Sequence, residues 1–261
     1  MKTYIKNTVT TIFILMLSSS FLFSLEIKNS IDAINIVGKQ RMLSQKVLKE
    51  YAMIGMNNTF GNCKKEINNS IKQFEEASKA LTIYTTNKKI QTELHKSKRL
   101  WNVVKKTLTT KAVKKNAITL QENLEKILII NNNITNFFIK DTKSEIGEII
   151  NTAGKQRMLF QRMASIYMLR VWGVENQAGF DTKINEAMKL FRISLDKLNN
   201  YNKNSKEVKT LLVKVEKSFL FFEMMSKSKS KFIPSLIYKK SIEILEDMNN
   251  IVVYYQKLET K

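Results

Sequence analysis

Apolar residues recur every three or four positions along almost the whole chain, the spacing of helices that bury one face. From Glu26 to about Asn57 the stripe runs through Ile27, Ile31, Ile34, Val37 or Gly38, Met42, Gln45 and Leu48 or Lys49. After a turn at 57–62, a second stripe carries Ile67, Ile71, Phe74, Ala77, Leu81 and Tyr84, and Thr85 to Asn87 breaks it. A third helix is predicted over Lys88 to Leu108, and a fourth from near Ala117 through Leu120, Leu124, Ile127, Asn131, Ile134 and Phe138. The polar run 140–144 holds no Gly or Pro, and the stripe continues through Ile146, Ile149 and Ala153. This predicts one long rod reaching about Trp172; a break at Ser144, a candidate N-cap, is the alternative.

Beyond a predicted loop from Gly173 to Asp181, with Gly179 and Asp181 as turn and cap signals, the plan repeats. Ile184, Met188, Phe191, Leu195 and Leu198 form one stripe, and Val208, Leu211 or Leu212, Val215 and Phe219 another. Pro234 suits the first turn of a last helix carrying Tyr238, Ile242, Leu245, Met248 and Val252. Seven Gly and one Pro in 261 residues leave little else to interrupt helices.

One phrase occurs twice. Asn35 to Lys46 reads Asn-Ile-Val-Gly-Lys-Gln-Arg-Met-Leu-Ser-Gln-Lys, and Asn151 to Arg162 repeats it with identity at Asn, Gly, Lys, Gln, Arg, Met, Leu and Gln. Similarity extends further. Ile67, Phe74, Leu81, Tyr84 and Asn87 align with Ile184, Phe191, Leu198, Tyr201 and Asn204, and Asn131 and Asn132 with Asn249 and Asn250. The expected architecture is all-α: tandem duplicated up-down four-helix-bundle modules that share the long central helix. The expected division is 1–24, 25–140 and 141–261.

Residues 1–24 combine Lys2 and Lys6 with an apolar run from Val9 to Phe23, the composition of an export signal. The run is short of a comfortable span, and a retained inner-membrane anchor is the alternative. The expected location is therefore periplasmic. Net charge is +21. Outside the cytoplasm such a surplus points away from nucleic acid and towards anionic lipid headgroups, acidic polymers or small anions. Lysines scattered over every segment also fit a solvated surface in a compositionally biased genome. Cys63 and His95 are the only residues of their kinds. No internal disulfide, metal site, cofactor or nucleophile–base pair is expected, and hence no enzyme.

On a helix, Asn35, Gly38, Met42 and Gln45 share a stripe, as do Asn151, Gly154, Met158 and Gln161, with Arg41 and Arg157 alongside. Gly inside a helix costs about 1 kcal/mol against Ala, so its presence in both copies suggests a close backbone neighbour. If the two motif helices pack about a pseudo-two-fold axis, Arg41 and Arg157 face each other and an anion between them would relieve their repulsion. Alternatively each Arg bonds helix carbonyls or pairs with Glu on a neighbouring helix. Met42, Leu43, Met158 and Leu159 read as core, and Tyr51, Tyr167 and Trp172 as packing aromatics at a bundle end.

The repeated block resembles the signature of the PilJ-type domain, the N-terminal sensory domain of type IV pili methyl-accepting chemotaxis transducers. It is similar also to the NarX-like sensory domain of nitrate/nitrite sensor kinases. The resemblance implies two tandem extracytoplasmic sensory modules. It places an anion of the nitrate/nitrite class on Arg41 and Arg157, with Gly38 and Gly154 allowing approach and Asn35, Asn151, Gln45 and Gln161 nearby. Val37, Lys46 and Phe160 depart from the family pattern, and Phe160 marks where the two copies differ most. No second span, linker module or kinase is read in the chain, so a membrane receptor or sensor kinase is the expected partner, with a homodimer left open. A structural or adaptor module, docking on a protein or an anionic membrane, is the competing reading.

Overall fold

The computed structural model describes residues 25–142, 144–227 and 233–259. The predicted export segment 1–24 lies outside them. Among the described residues there are eight helices and no strand. They are α1 (Ser30–Gly55), α2 (Cys63–Tyr84), α3 (Lys88–Leu108), α4 (Lys114–Thr142), α5 (Glu145–Val171), α6 (Gln177–Asn199), α7 (Lys206–Lys227) and α8 (Pro234–Glu259). Among the described residues, no helix is long and apolar enough to cross a membrane.

Asn residues start several of these helices. Asn29 Oδ1 accepts from Asp32 N at 2.9 Å, Asn62 Oδ1 from Lys65 N at 3.2 Å and Asn87 Oδ1 from Lys89 N at 3.0 Å. Each satisfies one amide that the first helical turn leaves unpaired, worth about 1 kcal/mol. Pro234 opens α8 as its fixed φ suits.

The outer helices bury one stripe each, whereas α1 and α5 are buried nearly all round. α1 packs against α2, α4 and α5, and α5 packs against α6 and α8. Two four-helix groups therefore meet along α1 and α5, the most extensive helix pair in the molecule. Phe74 stacks on Trp101 with ring centroids 3.7 Å apart, and Phe191 stacks on Phe219 at 4.5 Å. These equivalent pairs join α2 to α3 and α6 to α7.

The long rod predicted through Ser144 does not form. α4 ends at Thr142, and Ser144 is extended at φ −101°, ψ 129°. The chain reverses there. Tyr51, near the end of α1, bonds Val113 at the start of α4 and packs edge-on against Trp172 at the end of α5. Mid-helix, Arg41 reaches both Asn132 of α4 and Asn151 of α5. Both helices thus lie alongside α1, α4 antiparallel and α5 parallel to it. The apolar stripe is continuous across the turn because both helices present it to the same neighbour.

Two local expectations also change. α6 starts at Gln177, with Asn176 as N-cap at φ 103°; Gly179 lies inside its first turn, and Asp181 pairs with Arg170 at 2.7 Å instead of capping. The register of α8 against α4 is 117 rather than 118, because Asn249 takes the place that Asn132, not Asn131, takes in the first group.

Candidate arginine site between the motif helices

Gly38 and Gly154 put α1 and α5 in backbone contact. A Cβ built on Gly38 would lie 3.8 Å from the Gly154 Cα, and one on Gly154 would lie 3.7 Å from the Gly38 Cα. Parallel helices this close need small residues at the crossing, which explains a glycine in mid-helix in both copies.

The arginines fill the flanks of this crossing. Arg41 and Arg157 are 1% and 4% exposed. Arg41 Nη1 donates to Asn132 Oδ1 at 2.8 Å and Nη2 to Asn151 Oδ1 at 2.8 Å. Arg157 Nη1 donates to Asn249 Oδ1 at 2.9 Å and Nη2 to Asn35 Oδ1 at 2.8 Å. Each guanidinium therefore crosses to the Asn that begins the other motif, and takes a second Asn from the last helix of its own group. Both Nη2 atoms converge on the glycines, 3.3 and 3.5 Å from a Cβ on Gly38 and 3.4 and 3.5 Å from one on Gly154.

Neither alternative for these residues holds. Among the described residues, Arg41 and Arg157 donate to Asn side chains, not to helix carbonyls, and form no ion pair with Glu. Both Nε atoms are buried without a hydrogen-bond partner. Two unneutralised cations thus face each other inside the protein. Burial, and then the positive charge of Arg157, pushes Arg41 down to about 9; burial pushes Arg157 down to about 10. Both remain charged at neutral pH. Lys39 and Lys155 are lowered too, first by burial and next by the positive charge of Arg157 and Arg41 respectively, with Glu76 and Glu148 opposing.

Six of the eight residues singled out in the sequence meet here: Arg41, Arg157, Gly38, Gly154, Asn35 and Asn151. Gln45 and Gln161 lie one turn further along and bond elsewhere, to Ser44 Oγ at 3.2 Å and to the Ser241 carbonyl at 2.8 Å. Their Oε1 atoms are buried without partners. Asn132 and Asn249 were not singled out for the site. Their signal was present, since polar Asn pairs recur inside the apolar stripes of α4 and α8. Phe160 packs on Phe191 and Phe222, while its counterpart Ser44 donates to the Arg41 carbonyl; neither side chain bonds a guanidinium group.

The two halves differ at the Asn supports. Asn35 Nδ2 donates to Gln256 Oε1 at 3.2 Å, and Gln256 Nε2 donates to Asp32 Oδ1 at 3.0 Å. This relay fixes the Asn35 amide with its oxygen towards Arg157.

The first motif lies within a stretch that matches a family model. Residues 26–127 match the PilJ family. Its model is described as the N-terminal region of type IV pili methyl-accepting chemotaxis transducers. The PilJ match takes in α1 to α3 and the first half of α4, with Gly38 and Arg41 but not Asn132. No curated protein and no solved structure matches the chain significantly.

Proposed function

We propose that the protein is an extracytoplasmic sensory module that holds a small oxyanion, of the nitrate or nitrite class, between Arg41 and Arg157. On this reading α1–α4 and α5–α8 are tandem PilJ-type modules, and the protein reports its state to a membrane receptor or sensor kinase. The observation that carries the reading is two facing, buried guanidinium groups with no carboxylate bonded to either and with both Nε donors unused. Breaking such charges out of water is costly unless a counter-charge sits with them. An oxyanion supplies that charge and accepts from the planar donor fork.

One observation favours a structural module without a ligand. Four Asn oxygens already occupy Nη1 and Nη2 of both arginines. Calorimetric titration of the purified protein with nitrate, nitrite, sulfate and phosphate separates the readings. The sensory reading expects saturable heat with at least one anion and its loss in Arg41→Gln and Arg157→Gln. Absence of heat and of thermal shift with all four supports the structural module instead.

A further inference from the structure

The two arginine arms make matching bonds but do not have the same freedom. On one arm Arg157 Nη2 donates to Asn35 Oδ1 at 2.8 Å, Asn35 Nδ2 to Gln256 Oε1 at 3.2 Å, and Gln256 Nε2 to Asp32 Oδ1 at 3.0 Å. The other Asp32 oxygen accepts from Lys28 N at 3.2 Å. A guanidinium only donates and an ionised carboxylate only accepts. With both ends fixed in this way, a single orientation of the two intervening amides leaves every contact paired. Turning Asn35 sets its Nδ2 against Arg157 Nη2. Turning Gln256 as well sets its Oε1 against the Asp32 carboxylate.

The other arm has no such lock. Arg41 Nη2 donates to Asn151 Oδ1 at 2.8 Å, and among the described residues Asn151 Nδ2 donates to no protein group. The duplication shows why. Gly38 and Gly154 set an offset of 116 between α1 and α5, and Asn132 and Asn249 one of 117 between α4 and α8. On those offsets Asp32 corresponds to Glu148, and Gln256 to Ile139. Glu148 pairs with Lys197 of α6 at 3.2 Å, and the Ile139 side chain has nothing to donate or accept. The Asn151 amide can therefore turn at the cost of one bond. Exposure alone would favour the first arm, since Asn35 is partly buried and Asn151 is 8% exposed. The fixed polarity of the relay opposes that preference.

Arg41 also has a donor to spare on the right edge. Nε–H and Nη2 form the side-on edge of a guanidinium, and Arg41 Nε is buried without a partner. Turning Asn151 releases Nη2 beside it and brings Nδ2 to the place that Oδ1 held. Three donors then converge, two of them from one arginine edge, which suits a small oxyanion. Arg41 Nη1 keeps Asn132 Oδ1 at 2.8 Å, so the guanidinium stays in place. Arg157 has an equally unpartnered Nε, but its Nη2 remains held.

We propose that, within the sensory reading on which this rests, capture is one-sided. The Asn151 amide turns and, with Nε and Nη2 of Arg41, takes a small oxyanion. Asp32 and Gln256 are positioning residues that hold Asn35 and Arg157 still.

Proton–nitrogen NMR of the Arg41 and Arg157 Nε–H groups tests this, with sodium nitrate and then sodium sulfate as probes and sodium chloride as the ionic-strength control. In the natural chain the Arg41 signal is expected to shift downfield to saturation with at least one of the two oxyanions, and the Arg157 signal to stay. Asp32→Asn keeps the size and removes the fixed acceptor; Gln256→Ile installs the other arm's residue. Each is expected to make the Arg157 signal shift as well, with circular dichroism checking that the fold is kept. A shift at Arg157 alone, or equal shifts at both in the natural chain, overturns one-sided capture and leaves anion binding standing. An Arg157 signal that stays unmoved in both folded variants overturns the positioning role. No shift at either arginine with either oxyanion removes the sensory reading, and one-sided capture with it.

Discussion

Arg41 Nη2 donates to Asn151 Oδ1 at 2.8 Å, and the bond is returned across the helix pair from Arg157 Nη2 to Asn35 Oδ1 at the same distance. The acceptors are neutral, so geometry is satisfied while charge is not. That mismatch predicts a response of the site to added negative charge.

Supplying the charge covalently tests this. Asn132→Asp would place a carboxylate where the amide oxygen now sits, 2.8 Å from Arg41 Nη1. The variant is expected to melt higher than the natural chain in anion-free buffer, and to respond less to nitrate or sulfate. A lower melting temperature, with an undiminished anion response, would contradict the account of Arg41 as an unneutralised cation.

Removing the acceptor has the opposite sign. Asn132→Ala leaves Arg41 Nη1 without its bond, and Asn249→Ala does the same to Arg157. Each is expected to cost about 2 kcal/mol in denaturant unfolding, the range for a hydrogen bond to a charged group. Near-equal costs follow from the matching geometry. A large inequality would show that the Asn35–Gln256–Asp32 relay makes the halves energetically distinct.

Lys49 and Glu50 form a second buried ionic feature. Their side chains are almost fully enclosed, with Lys49 Nζ 3.5 Å from Glu50 Oε1, 2.7 Å from Ser241 Oγ and 4.3 Å from the centre of the Tyr238 ring. Burial holds Lys49 below its ordinary range, with Glu50 opposing. Lys49→Met alone is expected to lose about 3–5 kcal/mol, because Glu50 is left as an uncompensated buried charge. The double variant Lys49→Met, Glu50→Leu is expected near the natural stability. Additive losses in the double variant would rule out pairing as the source.

Gly55 closes α1 against Trp172. A Cβ there would fall 2.0 Å from Trp172 Cζ2, and the indole is largely buried. Gly55→Ala is expected to destabilise by about 1–3 kcal/mol through overpacking, despite alanine's better helix propensity. Gly55→Ala combined with Trp172→Leu should recover part of that loss. Differential scanning calorimetry of the three proteins reads it directly.

Much of this was legible because helical periodicity survives wherever one face is buried. Lys88 and Leu108, the predicted ends of α3, are its ends in the structure. The approach of Arg41 to Arg157 was readable from the duplicated Gly and Arg. The turn at Ser144 was not. An apolar stripe records which neighbour a helix faces, and α4 and α5 face the same one. The choice of Asn132 and Asn249 as acceptors was hidden for a related reason. Side-chain identity marks a polar spot on a stripe, but one helical residue decides which Asn of a run points inward. Sequence similarity aligned Asn249 with Asn131; the bonds to arginine set it against Asn132.

The reversal between α4 and α5 has a consequence for concentration. Two motif helices on separate chains would meet only as often as the chains collide. Here a connection of two residues, 143 and 144, tethers them, so each is present to the other at a fixed and high effective molarity. Dilution cannot take the arginine pair apart. A change in one motif is also not copied into the other, so each half is free to drift alone, and Ser44 and Phe160 show that it has.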